Sequence, residues 1–252
     1  MEKKDIFRGL GFCPGSFLSV GSPVVTEIAA QYPFKWLLLD MEHGGFTESN
    51  IVANLKSITS DDLVSIVRIP AVNPILISRI LDAGADGIMV PHVTSAEQVE
   101  VCKKLMYYPP EGSRGYSSSV RQYNYGARVP ADISAISKPL LFAQIEDVEG
   151  VLHVNEIAAV PGVDVLFVGP ADLKLSLKYN TGENLSYNAA IQRVADASIA
   201  NKKKAGILLR DKNQLESMQK TGYNCIAVDS DIAILRSGYR QIIECLERGS
   251  QQ

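Results

Sequence analysis

Hydrophobic positions along the chain fall into two alternating textures. Eight short runs are apolar almost without interruption: Ser16–Val20, Trp36–Asp40, Leu63–Arg68, Asp86–Val90, Leu140–Ile145, Asp164–Val168, Ala205–Leu209 and Asn224–Val228. Runs of this length suit parallel strands buried on both faces. Between them lie stretches with helical spacing, in which Ile51, Leu55 and Ile58 share one face, as do Ile77, Ile80 and Leu81. Asn73-Pro74 and Ser95 read as helix starts, Gly84 and Gly222 as stops. The first residues, to about Leu10, predict an extra helix across the bottom. Eight strands alternating with helices predict an α/β fold, a closed TIM (β/α)8 barrel rather than an open sheet. With no linker, repeat or low-complexity tract, the whole of 1–252 reads as a single domain of ordinary barrel size.

One interval is out of scale. The fourth and fifth strands are separated by about twice the usual spacing, and the segment carries Tyr107-Tyr-Pro-Pro-Glu-Gly-Ser-Arg-Gly-Tyr116 and Tyr123-Asn-Tyr125. Rich in Tyr, Arg and Gly rather than low in complexity, it is expected to be an active-site loop.

Composition narrows the function classes. A formal net charge of -3 calls for neither nucleic acid nor an anionic membrane as partner. No apolar run approaches the ~20 residues of a membrane span, and the charged N-terminus has no signal-peptide core behind it. Cys13, Cys102, Cys225 and Cys245 form no Cys-x-x-Cys pair and read as reduced thiols. The expectation is a cytoplasmic protein.

In such barrels the chemistry lies at the C-terminal strand ends. Polar groups collect there: Asp40-Met-Glu42-His43 after the second run, Arg68 after the third, Gln144-Ile-Glu146 after the fifth, Gly169-Pro-Ala-Asp172 after the sixth. Glu146 and Asp172, one βα unit apart, can share a hard cation, with water and substrate oxygens in the remaining positions. Taken singly, each is more readily a solvated loop acid or, for Asp172, a helix cap; as a pair at matching strand ends they favour the metal. His43, between Glu42 and Gly44-Gly45, is placed for general base work, with His92 as a rival; His153 reads as a surface residue. Arg68 suits a grip on a substrate carboxylate or an ion pair with Glu42 or Glu146. Gly169-Pro-Ala-Asp-Leu173 could offer backbone N–H groups to an anion. No dinucleotide fingerprint, P-loop or nucleophile elbow is present.

Together Asp40-Met-Glu-His43, Arg68, Tyr108-Pro-Pro-Glu-Gly-Ser-Arg-Gly115, Gln144-Ile-Glu146 and Gly169-Pro-Ala-Asp-Leu173 resemble, in order and spacing, the HpcH/HpaI aldolase family. These are class II pyruvate aldolases of the phosphoenolpyruvate/pyruvate barrel superfamily, such as 4-hydroxy-2-oxoheptanedioate and 2-dehydro-3-deoxyglucarate aldolases. The resemblance implies that Glu146 and Asp172 bind Mg²⁺ or Mn²⁺, which chelates pyruvate. It implies that Arg68 steadies the keto oxygen, that the N–H groups of Ala171 and Asp172 hold the carboxylate, and that Gln144 lies beside it. It further implies that His43 shuttles the proton through a metal-bound water and that Asp82 orients His43 from a neighbouring subunit. Phe17 and Leu208 match positions that line the pocket, and family members form hexamers, trimers of dimers with exchanged barrel helices. Lys174-Leu-Ser176 departs from the family pattern, as does Ser117-Ser-Ser-Val-Arg-Gln-Tyr-Asn124, which leaves the aldehyde open.

The activity so implied is reversible cleavage of a 4-hydroxy-2-oxoacid to pyruvate and an aldehyde. The alternatives are oxaloacetate decarboxylation and a CoA-ester lyase of the citrate lyase β type. A Schiff-base route needs an interior lysine. Lys35, Lys138 and Lys202 to Lys204 precede strands and so belong to the opposite rim, and Lys174 alone follows a strand end.

Overall fold

The computed structural model describes residues 2–133, 136–182 and 184–249. Within them eight parallel strands close into a barrel in chain order. They are β1 (Cys13–Leu18), β2 (Trp36–Asp40), β3 (Val64–Arg68), β4 (Gly87–Val90), β5 (Leu140–Ile145), β6 (Val165–Val168), β7 (Lys204–Leu209) and β8 (Cys225–Ser230). Helix α1 (Lys3–Gly9) precedes them. The outer layer is α2 (Pro23–Ala30), α3 (Ile51–Ser57), α4 (Pro74–Asp82), α5 (Ala96–Met106), α6 (Val148–Leu152), α7 (Val154–Ala159), α8 (Pro170–Tyr179), α9 (Tyr187–Ala200) and α10 (Leu215–Thr221). The last helix, α11 (Asp231–Gly249), follows β8. The expected TIM barrel is the fold observed.

The helix starts follow local chemistry. Asn73 accepts hydrogen bonds from the N–H groups of Ile75 and Leu76 ahead of Pro74, and Ser95 forms a reciprocal capping box with Gln98. Gly222 ends α10 in the left-handed region at φ 113.

Parity along the strands separates two cores. Trp36, Leu38, Val64, Ile66, Phe142 and Phe167 point inward and fill the barrel. Leu37, Leu39, Val67, Leu141 and Leu166 point outward and pack beneath Ile77, Ile80, Val99, Ile157 and Val194 of the helices. Burial on both faces is why the runs are apolar without alternation. Gly15, the register partner of Trp36, makes room for the indole, which a Cβ at that position would penetrate. At the N-terminal end α1 seals the barrel, as the sequence predicts. Phe7 meets Phe142 edge-on at 5.9 Å, while Lys3 and Arg8 pair with Asp86 and Asp164, each at 2.8 Å.

Two expectations change. Strand β1 begins at Cys13 rather than Ser16, because the Cys13 N–H bonds to Asn224 O at 2.7 Å and Cys13 pairs with Cys225. It ends at Leu18 because the N–H groups of Ser19 and Val20 turn to the Asp231 carboxylate, at 2.8 and 3.0 Å. The tyrosine-rich segment is not a loop after a strand. It follows α5 and precedes β5, so it lies at the N-terminal rim of its own barrel, opposite the strand ends where an active site was expected. There Arg121 donates to Ala83 O and Leu55 O, at the ends of α4 and α3. Arg114, buried, donates to Asp82 at 2.6 Å and stacks over Tyr108 at 4.7 Å.

Candidate active site

Continuing the inward parity one step beyond Trp36 and Leu38 reaches Asp40. The same step beyond Val64 and Ile66 reaches Arg68, and beyond Leu140 and Phe142 it reaches Gln144. The top layer of the barrel interior is therefore polar, and it floors a cavity of roughly 320 Å³ at the C-terminal rim. His43, Arg68, Gln144, Ala171, Asp172, Phe17 and Leu208 all line this cavity.

Asp40 and Arg68 are register partners on β2 and β3 and form a two-pronged ion pair, Nε to Oδ1 at 2.9 Å and Nη2 to Oδ2 at 2.7 Å. The third guanidinium nitrogen reaches Glu42 Oε2 at 3.2 Å, and the group lies 5.7 Å from the Phe17 ring. Arg68 is thus fixed in one orientation. Asp40 also accepts from the N–H groups of Glu42 and His43, so the same carboxylate shapes the loop that carries the histidine. Asp40 is the principal partner that sequence reasoning missed; strand parity was the available signal. Burial pushes the Glu42 carboxyl up, although Arg68 beside it pulls the other way. The His43 ring is 66% exposed at the mouth, 3.8 Å from Glu42.

Glu146 is 1% exposed, beside Gln144 and Gly169. Its Oε2 accepts from Gln144 Nε2 at 2.5 Å and its Oε1 from the His92 N–H at 2.9 Å. Burial is the main cause that drives its pKa up to about 7; the His92 contacts oppose this, and the neighbouring charges of Asp172 and Glu42 add to it. Gly169 leaves the space: a Cβ there would strike Glu146 Oε2 and come within 2.8 Å of Gln144 Nε2. The Gln144 Oε1 atom is buried with no hydrogen-bond partner. Glu146, Asp172 and the orphaned Gln144 oxygen are the kind of oxygen donors that hard divalent cations take, and a buried acid with a raised pKa is what such a cation would neutralise. The residues fit a divalent metal. Among the described residues, no group of three or more His, Cys, Asp or Glu side chains forms a cage.

Asp172 sits in the first turn of α8, whose cap is Gly169 and whose first residue is Pro170. The N–H groups of Ala171 and Asp172 precede the first intrahelical bond, Leu173 N to Gly169 O, and so are open to an anion.

Four further residues singled out in the sequence do not line this cavity. His92, at φ 49, bonds Asp147 at 3.0 Å and borders a neighbouring surface concavity, with its ring 3.5 Å from Glu146 and 4.0 Å from Glu42. His153 bonds Thr94 O at 3.1 Å. Asp82 ends α4 at the N-terminal rim and does not line its own chain's cavity. The Lys174 Nζ stacks over Tyr187 at 4.7 Å, and Lys174 is absent from the lining.

Comparison with known proteins meets this geometry from outside. The family profile described as HpcH/HpaI aldolase/citrate lyase matches residues 14–237. The chain is 34% identical over 237 residues to the hydroxypyruvate/pyruvate aldolase of Paraburkholderia phytofirmans, covering 91% of each chain. It is 30% identical over 235 residues to the 5-keto-4-deoxy-D-glucarate aldolase of Escherichia coli K12, covering 93% of this chain and 92% of that one. Among solved structures, an HpcH/HpaI aldolase/citrate lyase family protein from Burkholderia cenocepacia superposes with a TM-score of 0.88 at 32% identity, covering 97% of this chain and 98% of that one.

Proposed function

Since the chain belongs to the HpcH/HpaI aldolase/citrate lyase family, whose curated relatives are carbon–carbon lyases, we propose that it cleaves and forms the bond between a pyruvate unit and an aldehyde. Its substrate in the cleavage direction is a 4-hydroxy-2-oxoacid. The observation that carries this reading is the convergence of a fixed arginine, an exposed histidine and a pair of helix-start N–H groups on one cavity, beside a buried carboxylate.

The hard step is charge building on the enolate oxygen as the C3–C4 bond breaks. Glu146 and Asp172 would hold Mg²⁺ or Mn²⁺, which when bound would supply Lewis-acid stabilisation of that charge. Arg68, held by Asp40, points its guanidinium at the same oxygen. The Ala171 and Asp172 N–H groups take the carboxylate, with Gln144 beside it. Phe17 and Leu208 wall the pocket and exclude water. His43, exposed at the cavity mouth, accepts the C4 hydroxyl proton, while the His92 ring is engaged by Asp147 at 3.0 Å. Asp82 serves the site of a neighbouring copy in a homo-oligomer, a hexamer by family resemblance. Support for exchange between copies comes from α11, where Ile232, Ile234, Leu235, Tyr239, Ile242, Ile243 and Leu246 are all exposed. The barrel is one domain over 1–252 and works in the cytoplasm; among the described residues no helix is long and apolar enough to cross a membrane.

The test is exchange of the pyruvate methyl protons in D₂O, followed by NMR, together with turnover of an aldehyde panel. EDTA abolishes both and Mn²⁺ or Mg²⁺ restores them, while borohydride with pyruvate traps no adduct. A pyruvyl adduct on Lys174 with activity indifferent to EDTA overturns the reading.

A further inference from the structure

Arg210 has no role in the enolate chemistry just described, yet it lines the same cavity. It follows β7 directly, two residues beyond Leu208, next to Ser230 and Ile232 of the β8 end. Its situation differs from that of Arg68. Arg68 is buried and matched by two carboxylates. Arg210 is 63% exposed and makes two contacts, both through Nη1: Asp229 Oδ1 at 3.4 Å and Ser230 Oγ at 3.2 Å. An exposed pair at that distance contributes little and exchanges readily for a better acceptor. The rest of the planar fork offers the paired donors that a carboxylate or phosphate takes.

The partners of this arginine are held by a built feature. Between Gly15↔Ala227 and Phe17↔Ser230 the pairing of β1 with β8 slips by one residue, so β8 carries a bulge at the barrel rim. Asp229 lies in it at φ 63, a left-handed conformation that a non-glycine residue adopts at a cost. Rim bulges re-aim side chains, and this one turns Asp229 and Ser230 toward Arg210. Asp231, buried, locks the bulge from behind by accepting the N–H groups of Ser19, Val20 and Ile232.

We propose that Arg210, seated by the β8 bulge, is a specificity-determining residue that binds an anionic group on the carbonyl compound joined to or released from pyruvate. The proposal rests on the aldolase reading and adds the requirement that this partner carry a carboxylate or phosphate away from its carbonyl carbon. Pyruvate's own carboxylate has the helix-start N–H groups of Ala171 and Asp172. A second anion entering a site already lined by Asp40 and Asp172 needs a cation less fully matched than Arg68, and Arg210, whose one ion pair is exposed and 3.4 Å long, supplies it.

The experiment compares the full-length wild type with Arg210→Gln and Arg210→Lys, all with Mn²⁺ and pyruvate. One acceptor pair is succinic semialdehyde against butanal, with equal carbon count and only the first bearing a carboxylate. A second pair, glyceraldehyde 3-phosphate against glyceraldehyde, separates phosphate from carboxylate. The wild type favours the anionic member of one pair. Arg210→Gln lowers kcat/KM for that member roughly 10–100-fold, mainly through its KM, as expected for a lost charge-assisted fork. The neutral acceptors and pyruvate methyl-proton exchange are unchanged, and Arg210→Lys recovers part of the preference. Three results overturn the proposal: wild-type turnover no better with either anionic member, an equal loss for charged and neutral acceptors, or a lowered Tm with selectivity intact. Because methyl-proton exchange needs no acceptor, it registers failure of the enolate chemistry separately.

Discussion

A carboxyl group as enclosed as Glu146 ionises only at a cost, and the sign of that cost is testable. The folded pKa of about 7 lies above the ordinary 4.5, so the metal-free fold favours the protonated form. Below 4.5 the folded and unfolded chains both hold the proton and the group is neutral to stability. As pH rises toward 7 the unfolded chain ionises first, and stability is lost. His92 adds a contribution of the same sign. Burial lowers its pKa, but Asp147 and the other nearby carboxylates outweigh this and raise it. In EDTA, the Tm of wild type should therefore fall relative to Glu146→Gln between pH 5 and 7.5; a constant offset counts against the assignment. Mn²⁺ affinity, measured by calorimetry, should rise over the same window, because the ligand must shed its proton. His43→Ala should lose aldol turnover by roughly 10²–10⁴-fold while retaining Mn²⁺ binding. Full turnover in that variant moves the proton transfer to another group. At this scale the sequence was partly legible. A histidine or acid following an apolar run announces itself, but Asp40 as the clamp on Arg68 depends on which face of β2 points inward. An unbroken apolar run hides that parity.

Elements explain why the site is stiff. The pairing of β1 with β2 puts Gly15 against the Trp36 indole, whose Nε1 donates to Cys13 O at 2.9 Å, and Trp36 is fully buried. Gly15→Ala forces a methyl group into that ring with no flexible chain end to yield, so a loss of about 1–3 kcal/mol is expected from overpacking. Urea denaturation measures it, and an unchanged midpoint means the indole has somewhere to go. Strand positions were readable because parallel strands covered on both faces need continuous apolar runs. The extra stretch of β1 was not, since Cys13-Pro14-Gly15 has the composition of a turn and becomes strand through its pairing with β8 and β2 and the bond of Cys13 to Asn224. The tyrosine-rich segment was misplaced for a similar reason. Interval length alone cannot tell whether the excess falls before or after the intervening helix, and here α5 starts soon after β4.

At the scale of the whole molecule, Asp82 and His43 lie at opposite rims of one barrel, so a site using both spans two copies. Mixed oligomers of His43→Ala and Asp82→Asn chains, made by co-expression, should then regain activity that neither variant shows alone, through sites that draw a native residue from each. Activity no greater than that of the separate variants argues that each barrel is self-sufficient. The barrel itself was the most legible feature of the chain, because it follows from the count and order of elements. The fate of α11 was not, since an amphipathic stripe reads the same whether it covers its own barrel or another.

That stripe has a consequence for anyone handling the enzyme. Seven large apolar side chains on one terminal helix stand 42–67% exposed in the single chain, an arrangement that water penalises until another surface covers it. If another copy provides that cover, the folded protomer is linked by mass action to its own concentration. Specific activity would then fall on dilution, with a lag on reconcentration, and melting temperature would climb with the amount of protein in the tube. A dilution series read by light scattering and initial rate together tests this, and Ile242→Glu with Leu246→Glu should reach the dilute-limit behaviour at every concentration.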